Sequence, residues 1–308
     1  MKKSNQRSIY GQQLLHYGEL LPNLAVCEAD LGKSTMTNAF QQAHPDRYFE
    51  MGIAEACMTS FAAGLALTDH IVFTNSFAVF AAGRAYDQIR QTIAIGNLNV
   101  KIVGSSAGLS DFGDGSTHQS VEDIAIMRAI PNMTVLVPAD GPQVIEMMDY
   151  MVHTKGPMYL RLSRNDIVEV TAPRSGIAPS ILREGTDIAL AACGIMVGHA
   201  IRAAEQLAER GIQARVINIP CLKPFDEKTA ALLCAGFPAV ISCEEHSVIG
   251  GLSQALAWAL RGSGTKLEAV AIMDAFGKSA QSAEELHVAY HLTSDDIVKK
   301  ALLALGRV

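Results

Sequence analysis

The sequence has 308 residues, of which 49% are hydrophobic and 18% charged, and this length and composition predict two compact domains with a sizeable core. The net charge of −6 comes without a basic cluster, which argues against a nucleic-acid or membrane-surface partner. Six scattered cysteines form neither a CxxC pair nor a zinc spacing, and the beginning of the sequence shows no signal peptide. We therefore expect a cytoplasmic protein with reduced thiols.

Short β-branched runs alternate with stretches of helical periodicity in the first half of the sequence. Strands are predicted at residues 70–74, 99–104, 133–138 and 157–162, and helices at residues 53–67, 78–95, 120–130 and 140–153. Asp140, directly before Gly-Pro, is a favourable N-cap for the last of these helices. Strands that alternate with helices predict a mostly parallel sheet covered on both faces.

A change in the sequence pattern separates the two halves of the chain. Residues 168–187 include Pro173, Gly176 and Pro179 and show no clear periodicity, and we place a linker at residues 171–184. The alternation then restarts, with strands predicted at 187–194, 212–220, 239–245 and 267–273 and helices at 197–211, 225–236 and 249–262. The predicted fold is α/β with two domains, residues 1–170 and 185–308, each a mostly parallel sheet flanked by helices.

Glu55 is a carboxylate at the head of an otherwise apolar helix. The helix dipole alone favours an acidic residue in a first turn. Alternatively, Glu55 faces a dry cleft, where burial is costly unless a partner that this chain does not supply, such as a ring nitrogen of a ligand, shares its proton.

Two phenylalanines, Phe77 and Phe80, are three residues apart and therefore share one face at a predicted helix start. Such a pair is common in plain core packing. A flat heterocycle that lies against aromatic faces would require the same arrangement.

Residues 104–120, GSSAGLSDFGDGSTHQS, form a glycine-rich loop after a predicted strand, where open α/β sheets carry their sites. His118 in this loop is a candidate proton shuttle, or it merely bonds the backbone. Residues 104–108 match the hydrolase pattern GxSxG around Ser106, but the following LSDFGDG cannot begin the required helix. The GDG of residues 113–115 lacks the Asn-Asn pair of a diphosphate–magnesium motif, and His118 and Glu122 lack a third ligand, so we expect no metal site in this chain.

Three arginines, Arg7, Arg161 and Arg164, are the remaining candidates. Single arginines usually lie on a solvated surface. An arginine that directly follows a strand, as in RLSR, can instead bind a phosphate with two hydrogen bonds.

Several longer segments are similar to those of one enzyme family. They are FEMGIAEACM, FAVFAAGRAYDQIR, GDGSTHQSVEDIAIMRAIPNMTVLVPADG and YLRLSR, followed by GIQARVINIPCLKPFD, VIGGLSQALAWAL and AFGKSAQSAEELHVAYHLTSDDIVKKAL. Together they resemble the thiamine-diphosphate enzymes of the transketolase family over nearly the entire chain. The resemblance covers only the pyrimidine-binding and C-terminal domains of a transketolase, and it implies the second subunit of a split enzyme.

The resemblance also implies roles for single residues. Glu55 matches the acid that bonds the aminopyrimidine ring of thiamine diphosphate, and Phe77 and Phe80 match the aromatic positions around that ring. Asp30 in EADLGKS matches an aspartate of the cofactor pocket.

The residues implied for the substrate lie in other segments. His118 and Asp114 match residues that touch the hydroxyls of the sugar, and the substrate-phosphate site is matched by Arg7, Ser34 and Arg164. Ser106 stands where the family usually has a second substrate histidine, and Thr74 stands where it often has an aromatic residue.

The implied activity is transfer of a two-carbon ketol unit from a ketose phosphate to an aldose phosphate. It would require an N-terminal partner subunit with a complete GDG…NN motif, which would supply the ligands for Mg²⁺ and the diphosphate in a two-plus-two heterotetramer. The alternatives are the beta subunit of a 2-oxo acid dehydrogenase decarboxylase, a deoxyxylulose-phosphate-synthase-like enzyme, and a catalytically silent assembly or regulatory subunit.

Overall fold

The computed structural model describes residues 2–173 and 176–307. Its strands are β1 (Lys3–Asn5), β2 (Leu24–Glu28), β3 (Tyr48–Glu50), β4 (Ile71–Phe77), β5 (Val100–Ser105), β6 (Thr134–Leu136), β7 (Met158–Arg161), β8 (Asp166–Val168), β9 (Ser180–Arg183), β10 (Ile188–Ala192), β11 (Ala214–Asn218), β12 (Cys221–Lys223), β13 (Ala239–Ser247) and β14 (Lys266–Ile272).

The α-helices surround these strands. They are α1 (Gln6–Leu20), α2 (Gly32–Thr35), α3 (Asn38–Ala43), α4 (Glu55–Ala66), α5 (Tyr86–Gln88), α6 (Asp123–Ala129), α7 (Gly141–His153), α8 (Met196–Ala208), α9 (Glu227–Cys234), α10 (Leu252–Ala259), α11 (Ala283–Ala289) and α12 (Ser294–Ala304). Short 3₁₀ turns lie at Pro45–Arg47 and Gly115–Thr117, and segments with π-helical winding, Val79–Arg84 and Ile89–Ala94, lie on either side of α5.

The first half of the chain is built around a sheet with the strand order β12-β6-β7-β5-β4-β2-β3. All pairs from β6 to β3 are parallel, and β12 joins the edge in the antiparallel direction. β4 and β5 are buried along their whole length, as the central strands of a sheet covered on both faces must be. The strands predicted from sequence in this half are β4, β5, β6 and β7.

The second half forms another mostly parallel sheet, in the order β14-β13-β10-β11-β9, with β9 antiparallel to β11. The predicted fold class, two α/β domains with mostly parallel sheets flanked by helices, is therefore confirmed. β9 lies inside the segment predicted as a linker, and it extends the second sheet. Because β12 follows β11 in the chain yet pairs with β6, the second half also completes the first sheet.

The helix predicted over residues 140–153 is α7, and Asp140 caps it as expected, since its Oδ1 accepts a hydrogen bond of 3.1 Å from the backbone N–H of Gln143. The helix predicted over residues 53–67 is α4. The helix predicted over residues 78–95 differs, because its winding is π-helical at both ends. Such wide turns accommodate an extra residue and are frequent at functional sites.

Candidate active site

The predicted site residues follow the carboxyl ends of neighbouring parallel strands. Ser34 comes after β2, Glu55 after β3, Phe80 after β4, His118 after β5 and Arg164 after β7. In open parallel sheets these ends meet along one edge, which is where ligands bind. The topology thus gathers residues that are far apart in sequence along a single edge.

Glu55 is the first residue of α4 and only 1% of its surface is exposed. Ser76 donates its Oγ hydrogen to Glu55 Oε1 over 3.4 Å. Arg84 donates from Nη1 to both carboxylate oxygens, at 3.2 Å to Oε1 and 3.1 Å to Oε2. Glu55 is therefore buried, as the second of its two interpretations requires, but in this structure the chain does supply a partner for its carboxylate. The contact with Arg84 was not predicted from sequence.

The two phenylalanines, Phe77 and Phe80, share one face, as their spacing predicts. The rings of Phe77 and Phe80 are stacked, with centroids 6.2 Å apart and an interplanar angle of 18°. His118 presents its edge to both, with centroid distances of 6.3 Å to Phe77 and 5.3 Å to Phe80. Arg84 covers Phe80, with its guanidinium carbon 4.2 Å from the ring centroid. Glu55 and the three rings of Phe77, Phe80 and His118, which Arg84 links, form what we call the carboxylate–aromatic cluster.

A second group, the arginine cluster, brings together Arg7, Ser34 and Arg164. Arg7 donates from Nη1 to the carbonyl of Ser34 over 2.7 Å and from Nη2 to the carbonyl of Arg164 over 3.3 Å. Arg164 donates from Nη1 to Asp111 Oδ2 over 2.8 Å, while 41% of its side chain remains exposed. The antiparallel pairing of β1 with β8 positions both arginines, because Arg7 comes two residues after β1 and Arg164 two residues before β8.

Burial and the nearby charge of Arg164 lower the pKa of Arg7 to about 10. Its Nε is buried and has no hydrogen-bond acceptor among the described residues. The positive charges of Arg7 and Arg164 therefore repel each other, and an anion bound between the two guanidinium groups would relieve this repulsion. Asp111, which offsets part of this charge, was missed from sequence because its role depends on a contact with Arg164.

The other predicted residues lie in different surroundings. Asp30 is exposed, with a left-handed backbone (φ 61°), and its N–H donates to Glu50 Oε1 over 2.9 Å. Asp114 is exposed just before the 3₁₀ turn at Gly115–Thr117. Ser106 is completely buried, with φ 54° and a hydroxyl that has no partner within residues 2–173 and 176–307. Of these three residues, only Ser106 is shielded from solvent.

Glu28, which the sequence patterns did not single out, is fully buried next to Asp30. Its Oε2 accepts hydrogen bonds of 2.7 Å from the hydroxyls of Thr35 and Thr37, and its Oε1 accepts one of 3.1 Å from the N–H of Ala29. Burial raises the pKa of Glu28 to about 7, although these hydrogen bonds act in the opposite direction. Glu28 thus fixes the turn that leads to Ser34.

The glycine-rich loop that carries His118 is held by the second domain. Gln119 donates from Nε2 to the carbonyls of Asp111 and Lys278, at 3.1 Å each, and the N–H of Ala280 donates to the carbonyl of Phe112 over 2.9 Å. The loop continues to α6 without a helix directly after Ser106, so the GxSxG pattern does not form a nucleophile elbow.

Arg161, a candidate phosphate ligand by its position after a strand, has a different role. Only 7% of its side chain is exposed, and its Nε donates to Asp123 Oδ2 over 2.8 Å. Its Nη2 donates to the carbonyls of Glu245 (3.0 Å) and Ser120 (3.3 Å). Arg161 therefore ties the two domains together, and its Nε and Nη2 donate to groups of the chain itself.

The residues that the structure describes include neither a group of side chains suited to a metal ion nor a helix that could span a membrane. No three of their His, Cys, Asp and Glu side chains come together in a way that could hold a metal ion. None of their helices combines the length and the apolar character needed to cross a bilayer.

Comparison with known families agrees with this architecture. Residues 2–168 match the family described as "Transketolase, pyrimidine binding domain", and residues 179–297 match "Transketolase, C-terminal domain". The fold and the site thus define a two-domain α/β protein that combines a pyrimidine-binding domain with a transketolase-type C-terminal domain.

Individual relatives match nearly the whole chain. A transketolase C-terminal section from Methanocaldococcus jannaschii is 40% identical, covering 96% of this chain and 95% of that protein. A 6-deoxy-6-sulfo-D-fructose transketolase subunit from Clostridium sp. is 38% identical, covering 96% and 92%. A solved structure described as "Split gene transketolase, inactive beta4 tetramer" is 38% identical, with a TM-score of 0.88 and 99% coverage of both chains. The chain belongs to the transketolase family, and it corresponds to the C-terminal section of a transketolase.

Proposed function

We propose that this chain is the subunit of a thiamine-diphosphate-dependent transketolase that moves a two-carbon ketol unit from a ketose to an aldose. The observation that carries the proposal is the buried carboxylate of Glu55, which Arg84 links to the stacked rings of Phe77 and Phe80. A buried acid next to a flat aromatic surface suits a planar nitrogen heterocycle.

The residues present fit the aminopyrimidine half of thiamine diphosphate. Glu55 would hold a proton at a ring nitrogen, and Phe77 and Phe80 would pack against the ring, which orients it and excludes water. Asp30 would line the same pocket. When bound, the cofactor supplies the nucleophilic carbon and the electron sink for breaking the carbon–carbon bond of the ketose.

The proposed substrate contacts come from the glycine-rich loop. His118 lies at the edge of the aromatic pair and would exchange protons with the sugar oxygens near the reacting carbon. Asp114 would accept hydrogen bonds from sugar hydroxyls. Ser106 is buried and directly follows β5, the strand that leads into the glycine-rich loop. It would affect this part of the substrate indirectly, by fixing the shape of that loop.

The arginine cluster would bind the anionic end of the sugar. Arg7 and Arg164 present two guanidinium groups with Ser34 beside them, and remote binding energy at this end would orient the reacting carbon. Phosphate and sulfonate are both anionic oxygen groups that such a pair accepts. The name of the Clostridium relative includes a sulfosugar, so both tails belong in a substrate screen.

The diphosphate and Mg²⁺ would be held by a second chain with a complete GDG…NN motif, in a two-plus-two heterotetramer. The similar solved structure is described as an inactive tetramer of beta chains, which is in keeping with a need for a partner. Magnesium requires oxygen ligands in an octahedral arrangement. The described residues of this chain fit the aminopyrimidine half of the cofactor. This fit supports the assignment of the diphosphate half and Mg²⁺ to a second chain.

The test is to purify the chain alone and together with a co-expressed partner, each with thiamine diphosphate and Mg²⁺. Ketose phosphates and sulfosugars serve as donors, aldose phosphates as acceptors, and pyruvate as a control donor. We expect ketol transfer by the pair and none by the chain alone. Robust turnover without a partner would refute the split assignment, and steady release of carbon dioxide from pyruvate would favour an oxo-acid decarboxylase subunit or a deoxyxylulose-phosphate-synthase-like enzyme.

A further inference from the structure

Arg84 makes two contacts with the carboxylate–aromatic cluster. Its Nη1 donates to both oxygens of Glu55, and its guanidinium lies over the ring of Phe80 at 4.2 Å. A guanidinium is flat, cationic and rich in N–H donors. These are also the properties by which a protonated nitrogen heterocycle would bind the same acid and the same aromatic face.

The two occupants would compete for the same atoms. Arg84 uses both oxygens of Glu55, and the carboxylate is otherwise reached only by a longer hydrogen bond from Ser76 within the described part of the chain. A ring nitrogen that shares a proton with Glu55 would therefore have to displace the guanidinium from at least one oxygen. The guanidinium would also have to leave any part of the Phe80 face that the ring covers.

The position of Arg84 makes such a displacement feasible. Half of its side chain is exposed, against 1% for Glu55, so the guanidinium can move into water without being buried elsewhere. Arg84 ends the π-helical segment Val79–Arg84, and Gly83 before it has open space around its α-carbon. Ion pairs with one exposed partner are weak, whereas a buried carboxylate without any donor is costly.

We propose that Arg84 is a displaceable counter-ion that occupies Glu55 and Phe80 in the free subunit and must swing away before a cofactor ring can bind there. This inference rests on the proposed function, because it assumes that Glu55 meets the ring. It adds a residue that sets cofactor affinity: the arginine keeps the acid paired while the subunit is free, and it lowers the affinity for the ring by competition.

The first test uses the full chain alone and needs no cofactor. Arg84→Met removes the donor and keeps a long apolar side chain, so the buried Glu55 loses its ionic partner and the melting temperature should fall. In the Glu55→Gln background the same substitution should have a much smaller effect, since the amide needs no counter-ion. Arg90→Met, at an exposed arginine of the second π-helical segment, Ile89–Ala94, is the matched control. Equal effects of Arg84→Met in both backgrounds would overturn the pairing.

The second test measures thiamine diphosphate affinity in the assembled complex by calorimetry. Arg84→Met should lower the Kd about 5- to 30-fold, which corresponds to losing one exposed ion pair and one cation–π contact, and Arg90→Met should leave it unchanged. Methylguanidinium added to Arg84→Ala should compete with the cofactor. An unchanged or higher Kd in Arg84→Met would overturn the inference alone. A wild-type complex that binds no thiamine diphosphate would overturn the proposed function as well.

Discussion

At the scale of single residues, Glu55 carries a charge that the fold removes almost entirely from water. Its position at the head of α4 places it near the positive end of the helix dipole, and Arg84 and Ser76 provide hydrogen bonds. These contacts make a buried acid tolerable in the free chain. They also hold it at the carboxyl-end edge of the sheet.

Replacing Glu55 by Gln should abolish turnover while leaving assembly intact. The amide cannot hold or share a proton at a ring nitrogen, and we expect a loss of at least about 3 kcal/mol of transition-state stabilisation. Steady-state kinetics of the assembled complex measure the loss, and light scattering checks the assembly. A near-native rate would remove the proton-sharing role.

Arg164→Met should weaken anionic substrates selectively. Losing one guanidinium from the arginine cluster removes charged hydrogen bonds worth about 1.5–3 kcal/mol, so kcat/KM for phosphorylated or sulfonated ketoses should fall about 10- to 100-fold. Unphosphorylated analogues, assayed side by side with the same preparation, provide the control. If both substrate types lose activity equally, the arginine cluster does not bind the anionic tail.

At the scale of elements, the turn between β2 and α2 depends on the buried carboxyl of Glu28. Its pKa in the folded chain, about 7, lies above its ordinary value of 4.5, so folding favours the protonated form. The contribution of Glu28 to stability is therefore complete below its ordinary pKa, and it is lost as the pH rises through about 7.

Urea unfolding between pH 4 and 8 tests whether the contribution of Glu28 to stability falls as the pH rises. The free energy of unfolding of the wild type, relative to Glu28→Gln at the same pH, should decrease by about 1–3 kcal/mol as the pH rises. Because other titrating groups are common to both proteins, the difference isolates Glu28. A difference that stays constant or grows with pH would contradict the assigned pKa shift.

The elements that were predicted from sequence are those with a clear periodic pattern. The buried strands β4 and β5 contain short apolar, β-branched runs, and α7 combines an Asp140 cap with an amphipathic face. Helix α1 was not predicted, because its buried face consists largely of Arg7, two tyrosines and two glycines instead of aliphatic residues. Its glycines are required for close packing, since a Cβ on Gly11 would lie within 2.4 Å of the carbonyl oxygen of Met36.

The residues of the candidate site also divide into those that form a local sequence pattern and those that do not. Glu55, Phe77 and Phe80 stand out from sequence because an acid in an apolar helix and a spaced aromatic pair are local patterns. Arg84 and Asp111 do not stand out, because each matters through a partner that only the tertiary fold brings close. Their roles could not have been predicted without the three-dimensional structure.

At the scale of the whole molecule, the two domains share structure. β12 from the second half completes the first sheet, and Arg161 joins Asp123 to the carbonyl of Glu245 through buried hydrogen bonds. Two separate domains could be predicted from the alternation of strands and helices. That β12 of the second half joins the first sheet could not be predicted, because β12 is only three residues long.

The region around α4 also exposes large apolar side chains. Ile53 and Leu67, at the two ends of this helix, are 75% and 73% exposed, and Ile95 beyond the second π-helical segment is 66% exposed. Clusters of exposed apolar residues mark interaction surfaces. Ile53 precedes Glu55 by two residues, so a partner that covers Ile53 would lie close to Glu55, as a cofactor bound between two chains requires.

Ile53→Asp should therefore prevent association with the partner without unfolding the chain. A charge at the centre of an apolar interface must be buried without a counter-ion, and we expect the Kd of assembly to rise at least about 30-fold. Sedimentation velocity measures assembly, and circular dichroism checks folding. Leu232→Asp, at a similarly exposed leucine of α9 (72%), is the control. Unimpaired assembly of the Ile53 variant would exclude this surface.

The most direct measurement is a crystal structure of the assembled complex with thiamine diphosphate. We predict a carboxylate oxygen of Glu55 within about 3 Å of a pyrimidine nitrogen, the ring against Phe77 and Phe80, and the guanidinium of Arg84 turned into solvent. A cofactor bound elsewhere, or a Glu55 that points into bulk water, would contradict the account.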